Sequence, residues 1–142
     1  MGFVGRRAIM CEQNHFAGMK GQKLFVRRVE SNDRDSIETL YRSAKIRQAP
    51  PVDRGFIGKL VGDTVAHVAT HREEDSEIIV FVFVDPRMRR KRVGQVMFAE
   101  VEAALRNEGL RRIVIASNCV AEGFFTRIGF KMRGGRIEKD VD

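Results

Sequence analysis

Residues 77–95 constrain the fold more tightly than any other stretch of the chain. Glu77 to Val84 is a β-rich run with apolar residues at successive positions, so both faces of that strand need cover. Asp85-Pro86 stops it. Five cations (Arg87, Arg89, Arg90, Lys91 and Arg92) follow within six positions. Gly94 then opens a helix that carries Met97, Val101, Ala104 and Leu105 along one face. A covered strand that runs through a short turn into an amphipathic helix belongs to a layered α/β domain.

The rest of the chain fits that frame. Leu24 to Val29 reads as a first strand. Ser31 or Asn32 caps a helix with Ile37, Leu40, Tyr41 and Ala44 on its apolar face. Phe56–Val61 and Thr64–Thr70 read as strands joined at Gly62-Asp63, with glycine first, as a type II′ turn prefers. His71 to Ser76 reads as a polar turn. Gly109 follows the second helix where a left-handed residue suits a C-terminus. Arg112 to Ala116 is a short strand, and Asn118 caps a helix with Ala121, Phe124, Phe125 and Ile128 in phase. Gly129 closes that helix, and one last strand starts at Phe130. The order β-α-β-β-β-α-β-α-β gives one α/β domain over residues 23–142. Residues 1–22, which lack the apolar core of a signal peptide, read as a mobile extension without assigned function.

Composition narrows the class of partner. Lys and Arg number 26 against 19 Asp and Glu, a formal net charge of +7 that suits a phosphate-bearing ligand. Most of the local excess sits in the single loop before Gly94, which favours a discrete anion site over a nucleic-acid face. The chain has one tyrosine and no tryptophan, and no aromatic residue interrupts the cation cluster, which argues against base stacking. No apolar run approaches the ~20 residues of a membrane span. Three histidines and two cysteines show no metal-ligand spacing. The setting expected is reducing and cytoplasmic.

The first N–H groups of a helix have no intrahelical partner, and the helix dipole is positive there. Such an end binds phosphate through backbone donors, and flanking arginines add charge. In this setting Val84, Pro86, Arg89 and Gly94 fall in register with V-x-P followed by [Q/R]-x-x-G-x-[G/A]. Downstream, residues 118–130 match N-x-x-A-x-x-[L/F]-Y-x-x-x-G-F except at the tyrosine. Together, in this order and context, the two segments resemble the GCN5-related N-acetyltransferase (GNAT) superfamily over about residues 23–137.

The resemblance implies a mixed central β-sheet flanked by helices, with a splay between the fourth and fifth strands. It also implies an acetyl-CoA-dependent N-acetyltransferase whose acceptor is a primary amine of a small molecule or peptide. The pantetheine arm would lie along Phe83 and Val84, and a backbone N–H there would stabilise the oxyanion. The pyrophosphate would sit on Arg89, Arg90, Lys91, Arg92, Val93, Gly94 and Gln95. Asn118 would touch the cofactor, cap the helix, or do both. The acceptor side would be built by about Ala44–Gly55 and the chain after the last helix. No membrane is involved, nucleic acid is disfavoured, and a homodimer is left open.

Two residues depart from the pattern. Arg92 replaces the central glycine of the phosphate loop, and it can serve if its φ is ordinary and its side chain turns outward or onto a phosphate. Phe125 stands where many members place a proton-donating tyrosine, so that donor is absent from this cofactor-binding position. A thiol with a pKa of roughly 8.5 is nonetheless a tolerable leaving group. Glu77, at the start of the central strand, is the candidate base that deprotonates the amine, and a solvated carboxylate is its plainer reading. His67 and His71 are weaker alternatives, while Tyr41 and Cys119 read as packing residues. Two further functions fit the same residues: a non-catalytic protein that binds or senses CoA, and a basic nucleic-acid-binding module.

Overall fold

The computed structural model describes residues 23–47, 50–88, 92–116 and 122–141. Seven strands form one sheet in the order β1-β2-β3-β4-β5-β7-β6. They are β1 Leu24–Arg28, β2 Phe56–Leu60, β3 Asp63–Glu73, β4 Ser76–Val84, β5 Arg112–Ile115, β6 Lys131–Arg133 and β7 Arg136–Asp140. Three helices flank it: α1 Arg34–Ser43, α2 Val93–Asn107 and α3 Glu122–Arg127. Among the described residues only β4 and β5 pair in parallel, so the sheet is mixed, as expected. Among the described residues, no helix is long and apolar enough to cross a membrane.

Each face of the sheet has its own core. Ile79, Val96, Met97, Phe98, Val101, Leu105 and Phe125 lie in the cluster under α2 and α3. Ile37, Leu40, Tyr41, Val52, Ile57 and Phe83 form the cluster under α1. Fully burying one such side chain contributes about 1.5–3 kcal/mol. This two-sided demand explains the unbroken apolar run of β4.

An irregularity in β4 was not anticipated. Ala69 pairs with Phe81 and Thr70 with Ile79, so Val80 is an extra residue, a β-bulge. The bulge resets the alternation. Ile79 on one side of it and Val82 and Val84 on the other all join the α2 face, whereas Phe81 and Phe83 join the α1 face. It also falls where β4 parts from β5. Their pairing runs from Ser76–Arg112 to Ile79–Ile115, while β4 continues for five more residues to Val84. The splay expected between the fourth and fifth strands is therefore present.

Several local expectations are corrected. The β2–β3 turn is Val61-Gly62 and not Gly62-Asp63, because Asp63 already pairs with Leu60. Both turn residues have positive φ, +49° and +82°, the pattern of a type I′ turn. β3 extends to Glu73, so the polar turn shrinks to Glu74-Asp75. The last strand is a hairpin, β6–β7, turned at Gly134-Gly135 with φ of +56° and +79°. Entry into α1 uses neither Ser31 nor Asn32 as the cap. The Asp33 carboxylate accepts from the Glu30 N–H at 2.7 Å and from both Arg27 terminal nitrogens at 2.7 and 2.9 Å. Those Arg27 bonds hold the Asp33 carboxyl down at about 2, against the opposing pull of burial. Gly109 (φ +82°) and Gly129 (φ +104°) end α2 and α3 as expected.

Candidate functional site

At the open end of the β4–β5 splay lies a cleft of about 570 Å³. Val84 comes from the end of β4, Arg92, Val93, Gly94 and Gln95 from the start of α2, and Phe124, Arg127 and Ile128 from α3 and the turn after it. Five of the expected cofactor-binding residues (Val84, Arg92, Val93, Gly94 and Gln95) are thus brought together. Arg89, Arg90, Lys91 and Asn118 lie outside the described residues.

The floor of the cleft is the N-terminus of a 15-residue helix. The Arg92 carbonyl accepts from the Val96 N–H at 3.0 Å, so the helical ladder begins there and the N–H groups just inside it have no carbonyl one turn back. No side chain caps this end from Arg92. A Cβ added to Gly94 would lie 3.4 Å from two Phe124 ring atoms, so the start of α2 and the Phe124 ring lie side by side at the cleft.

Arg92 itself corrects an expectation. Its φ is +62° and its ψ 18°, which is left-handed and not ordinary backbone. The chain therefore adopts here the conformation that glycine takes freely, and it does so with an arginine. The side chain is exposed and lines the cleft. Neither Arg92 nor Arg127 has an ion-pair partner among the described residues. Among the described residues, no carboxylate lines this cleft. An anion entering it meets two guanidinium groups and a positive helix end.

Arg87, by contrast, turns away from the site. Its side chain bonds Asp85 at 2.7 Å, and its own N–H donates to the same carboxylate at 2.9 Å. It lines a separate groove with Asp35, Lys59 and Asp63. Arg87, held by Asp85, and Arg92 therefore line different spaces.

The side chains of Phe83 and Phe125 do not line the cleft. Phe83 is buried against Tyr41, with ring centroids 5.2 Å apart, on the α1 face. Phe125 is fully buried among Phe98, Phe124 and Phe130, with centroids 5.2–5.3 Å apart. Its side chain belongs to the core, and the neighbouring Phe124 faces the cleft. Sequence reasoning missed Phe124, Arg127 and Ile128. Their motif spacing was visible, but the rotation of α3 about its axis was not.

Glu77 undergoes the largest revision. It is 1% exposed, neither solvated nor within the cleft. One carboxylate oxygen accepts from Thr70 Oγ1 at 2.6 Å and Arg28 Nη1 at 2.8 Å. The other accepts from Arg28 Nη2 and Arg72 Nε, each at 3.3 Å. Arg28 and Arg72 also bond Glu108, which directly follows α2. Glu77 therefore sits at the C-terminal end of α2, and the cleft is at the other end, about 22 Å along a helix of this length. Both oxygens of this carboxylate are taken up by Arg28, Arg72 and Thr70, and the group is remote from the cleft.

Neither His67 nor His71 lines the cleft. His67 is fully buried, with Nδ1 2.7 Å from Tyr41 Oη and Nε2 3.1 Å from the Arg54 carbonyl. A carbonyl only accepts, so Nε2 carries the proton and Tyr41 donates to Nδ1. Burial pushes the His67 pKa down, outweighing the opposing Arg54 bond, and pushes the Tyr41 pKa up. Tyr41 is thus a packing residue, as expected, with an added hydrogen bond. His71 pairs with Glu73 at 3.0 Å on the exposed end of β3. No group of three metal-ligating side chains occurs among the described residues.

With this geometry in view, the likeness to known proteins is informative. The model of the acetyltransferase (GNAT) family matches residues 23–130. No curated protein matches the chain in sequence. Ard1 from Thermoplasma volcanium superposes with a TM-score of 0.65 at 15% identity, over 84% of this chain and 98% of that one. A GNAT family acetyltransferase from Brucella melitensis, solved with acetyl-CoA, gives 0.63 at 18% identity, over 84% and 89%. The ribosomal-protein-S18-alanine N-acetyltransferase from Escherichia coli gives 0.59 at 16% identity, over 83% and 90%. These likenesses in structure establish the fold.

Proposed function

The chain belongs to the GNAT acetyltransferase family, and from that premise we propose that it is an acetyl-CoA-dependent N-acetyltransferase acting on a primary amine of a small molecule or peptide. One observation carries the reading. The cleft at the end of the splay joins a helix N-terminus to two arginines, and among the described residues those arginines have no ion-pair partner and no carboxylate lines the cleft. That is a site for a diphosphate. Acetyl-CoA, when bound, supplies an acetyl group activated as a thioester.

The residues divide the work. The N–H groups of Val93, Gly94 and Gln95 bind the diphosphate, and the Arg92 side chain adds charge. Arg89, Arg90 and Lys91 belong to the same loop, and Asn118 is assigned to the cofactor's arm. The half of β4 beyond the bulge, Val80–Val84, supplies the wall along the splay. A backbone N–H on that stretch stabilises charge developing on the carbonyl oxygen. The acceptor amine, its proton lost to water, would attack the thioester carbonyl carbon, and the C–S bond would break with coenzyme A leaving as the thiolate. Glu77 takes no part in that proton transfer.

Calorimetry and a thiol-release assay test the reading together. We expect saturable binding of acetyl-CoA and release of free thiol in the presence of at least one amine from a broad panel. Absence of acetyl-CoA binding contradicts the proposal. Binding without thiol release favours a second reading, a protein that binds CoA without transfer. The absence of an acidic or basic catalyst among the described cleft residues favours that second reading.

A further inference from the structure

Resting on the cofactor assignment above and deepening it, we infer that Arg127 recognises the 3′-phosphate of coenzyme A, so that the site discriminates the full cofactor from its dephosphorylated form. Coenzyme A carries two separate anionic centres. One is the diphosphate, and the other is a monoester on the ribose beyond it. The α2 N-terminus and Arg92 account for the first.

The second needs a cation further out, and the cleft continues in one direction that provides it. A groove of about 540 Å³ runs along α2 and α3, and Gln95, Arg127 and Ile128 line both spaces. Arg127 is the charged residue of those three. The other charges of the groove have assigned partners. Lys139 Nζ bonds Glu102 at 2.9 Å and the Ile128 carbonyl at 2.8 Å, and Arg106 Nε bonds the Val141 carbonyl at 3.0 Å. Those bonds fix the groove wall. Arg127 is exposed and has no ion pair among the described residues.

Its position is set locally. A Cβ built on Gly123, one turn earlier, would lie 3.6 Å from Arg127 Nη1. The guanidinium thus lies back along α3 over a glycine. A guanidinium binds a phosphate monoester through two parallel N–H bonds, a geometry that a lysine cannot reproduce.

The test is isothermal calorimetry with CoA and 3′-dephospho-CoA on the full chain and on Arg127→Ala and Arg127→Lys, with melting curves showing that each variant is folded. The wild-type chain is expected to bind CoA about 10-fold more tightly than dephospho-CoA. Arg127→Ala should lose that preference by weakening CoA alone, and Arg127→Lys should keep only part of it. Equal wild-type affinity for the two ligands overturns the inference, as does an Arg127→Ala variant that weakens both equally. Failure of either ligand to bind the wild-type chain overturns the cofactor assignment and this inference with it.

Discussion

Both ends of helix α2 gather a pair of arginines, but among the described residues only one end supplies them with carboxylates. At the C-terminal end, Arg28 and Arg72 are bonded to Glu77 and Glu108, and Glu77 is buried. At the N-terminal end, Arg92 and Arg127 face a cleft that no described acidic residue lines. The same side chain acts as a structural clamp where its charge is compensated, and as a ligand-binding group where it is not. The helix dipole agrees with this division, because its positive end is the one that faces the cleft.

The strongest challenge to this contrast is Glu77→Gln. Removing one partner of a buried ion pair leaves charge uncompensated, so the variant should lose about 3 kcal/mol in denaturant melts. Its affinity for CoA per folded molecule should stay at the wild-type value. A variant with wild-type stability and abolished turnover would restore Glu77 as a base.

Arg92→Gly should produce effects of opposite sign at the other end. Relief of the left-handed arginine should raise stability by up to about 1 kcal/mol, offset in part by the added freedom of the unfolded chain. Loss of the guanidinium should weaken CoA binding about 10-fold. Calorimetry and thermal melts on the same preparation check both. If stability falls and affinity does not, the strain is structural and the arginine is not a ligand.

Acid should separate the two ends more gently. Hydrogen bonds from Arg28, and then Arg72, hold the Glu108 carboxyl below the usual range despite partial burial. A carboxyl with a depressed folded pKa stabilises the fold above its unfolded value, about 4.3, and loses that contribution as pH falls through the folded value. Asp33, held at about 2, does the same over a lower window. Melting temperature should therefore decline modestly below about pH 4.3. An unchanged melting temperature from pH 5 to 3 would mean that the clamp contributes nothing.

Much of the fold was legible because it depends on local signals. Apolar periodicity, Gly109 and Gly129, and the strand–cation–glycine–helix passage each act over a few residues. The unread parts depend on distance or on phase. Glu77 meets Arg28 across 49 positions, and no spacing rule announces such a pair. The Val80 bulge exists only in the register between β3 and β4. Phe124 and Phe125 differ by one step on a six-residue helix, so the motif identified the pair without showing which ring faces the cleft. The Gly134-Gly135 turn was a local signal that was overlooked, and its two positive φ values mark a hairpin.

Hydrogen–deuterium exchange of the full chain, with and without CoA, tests the division of α2 most directly, because it reads the backbone N–H groups assigned to the ligand. Slowed exchange should concentrate at residues 92–97 and 123–130, leaving 28, 72, 77 and 108 unaffected. Protection centred on the Glu77–Glu108 end, or none at the start of α2, would contradict the account.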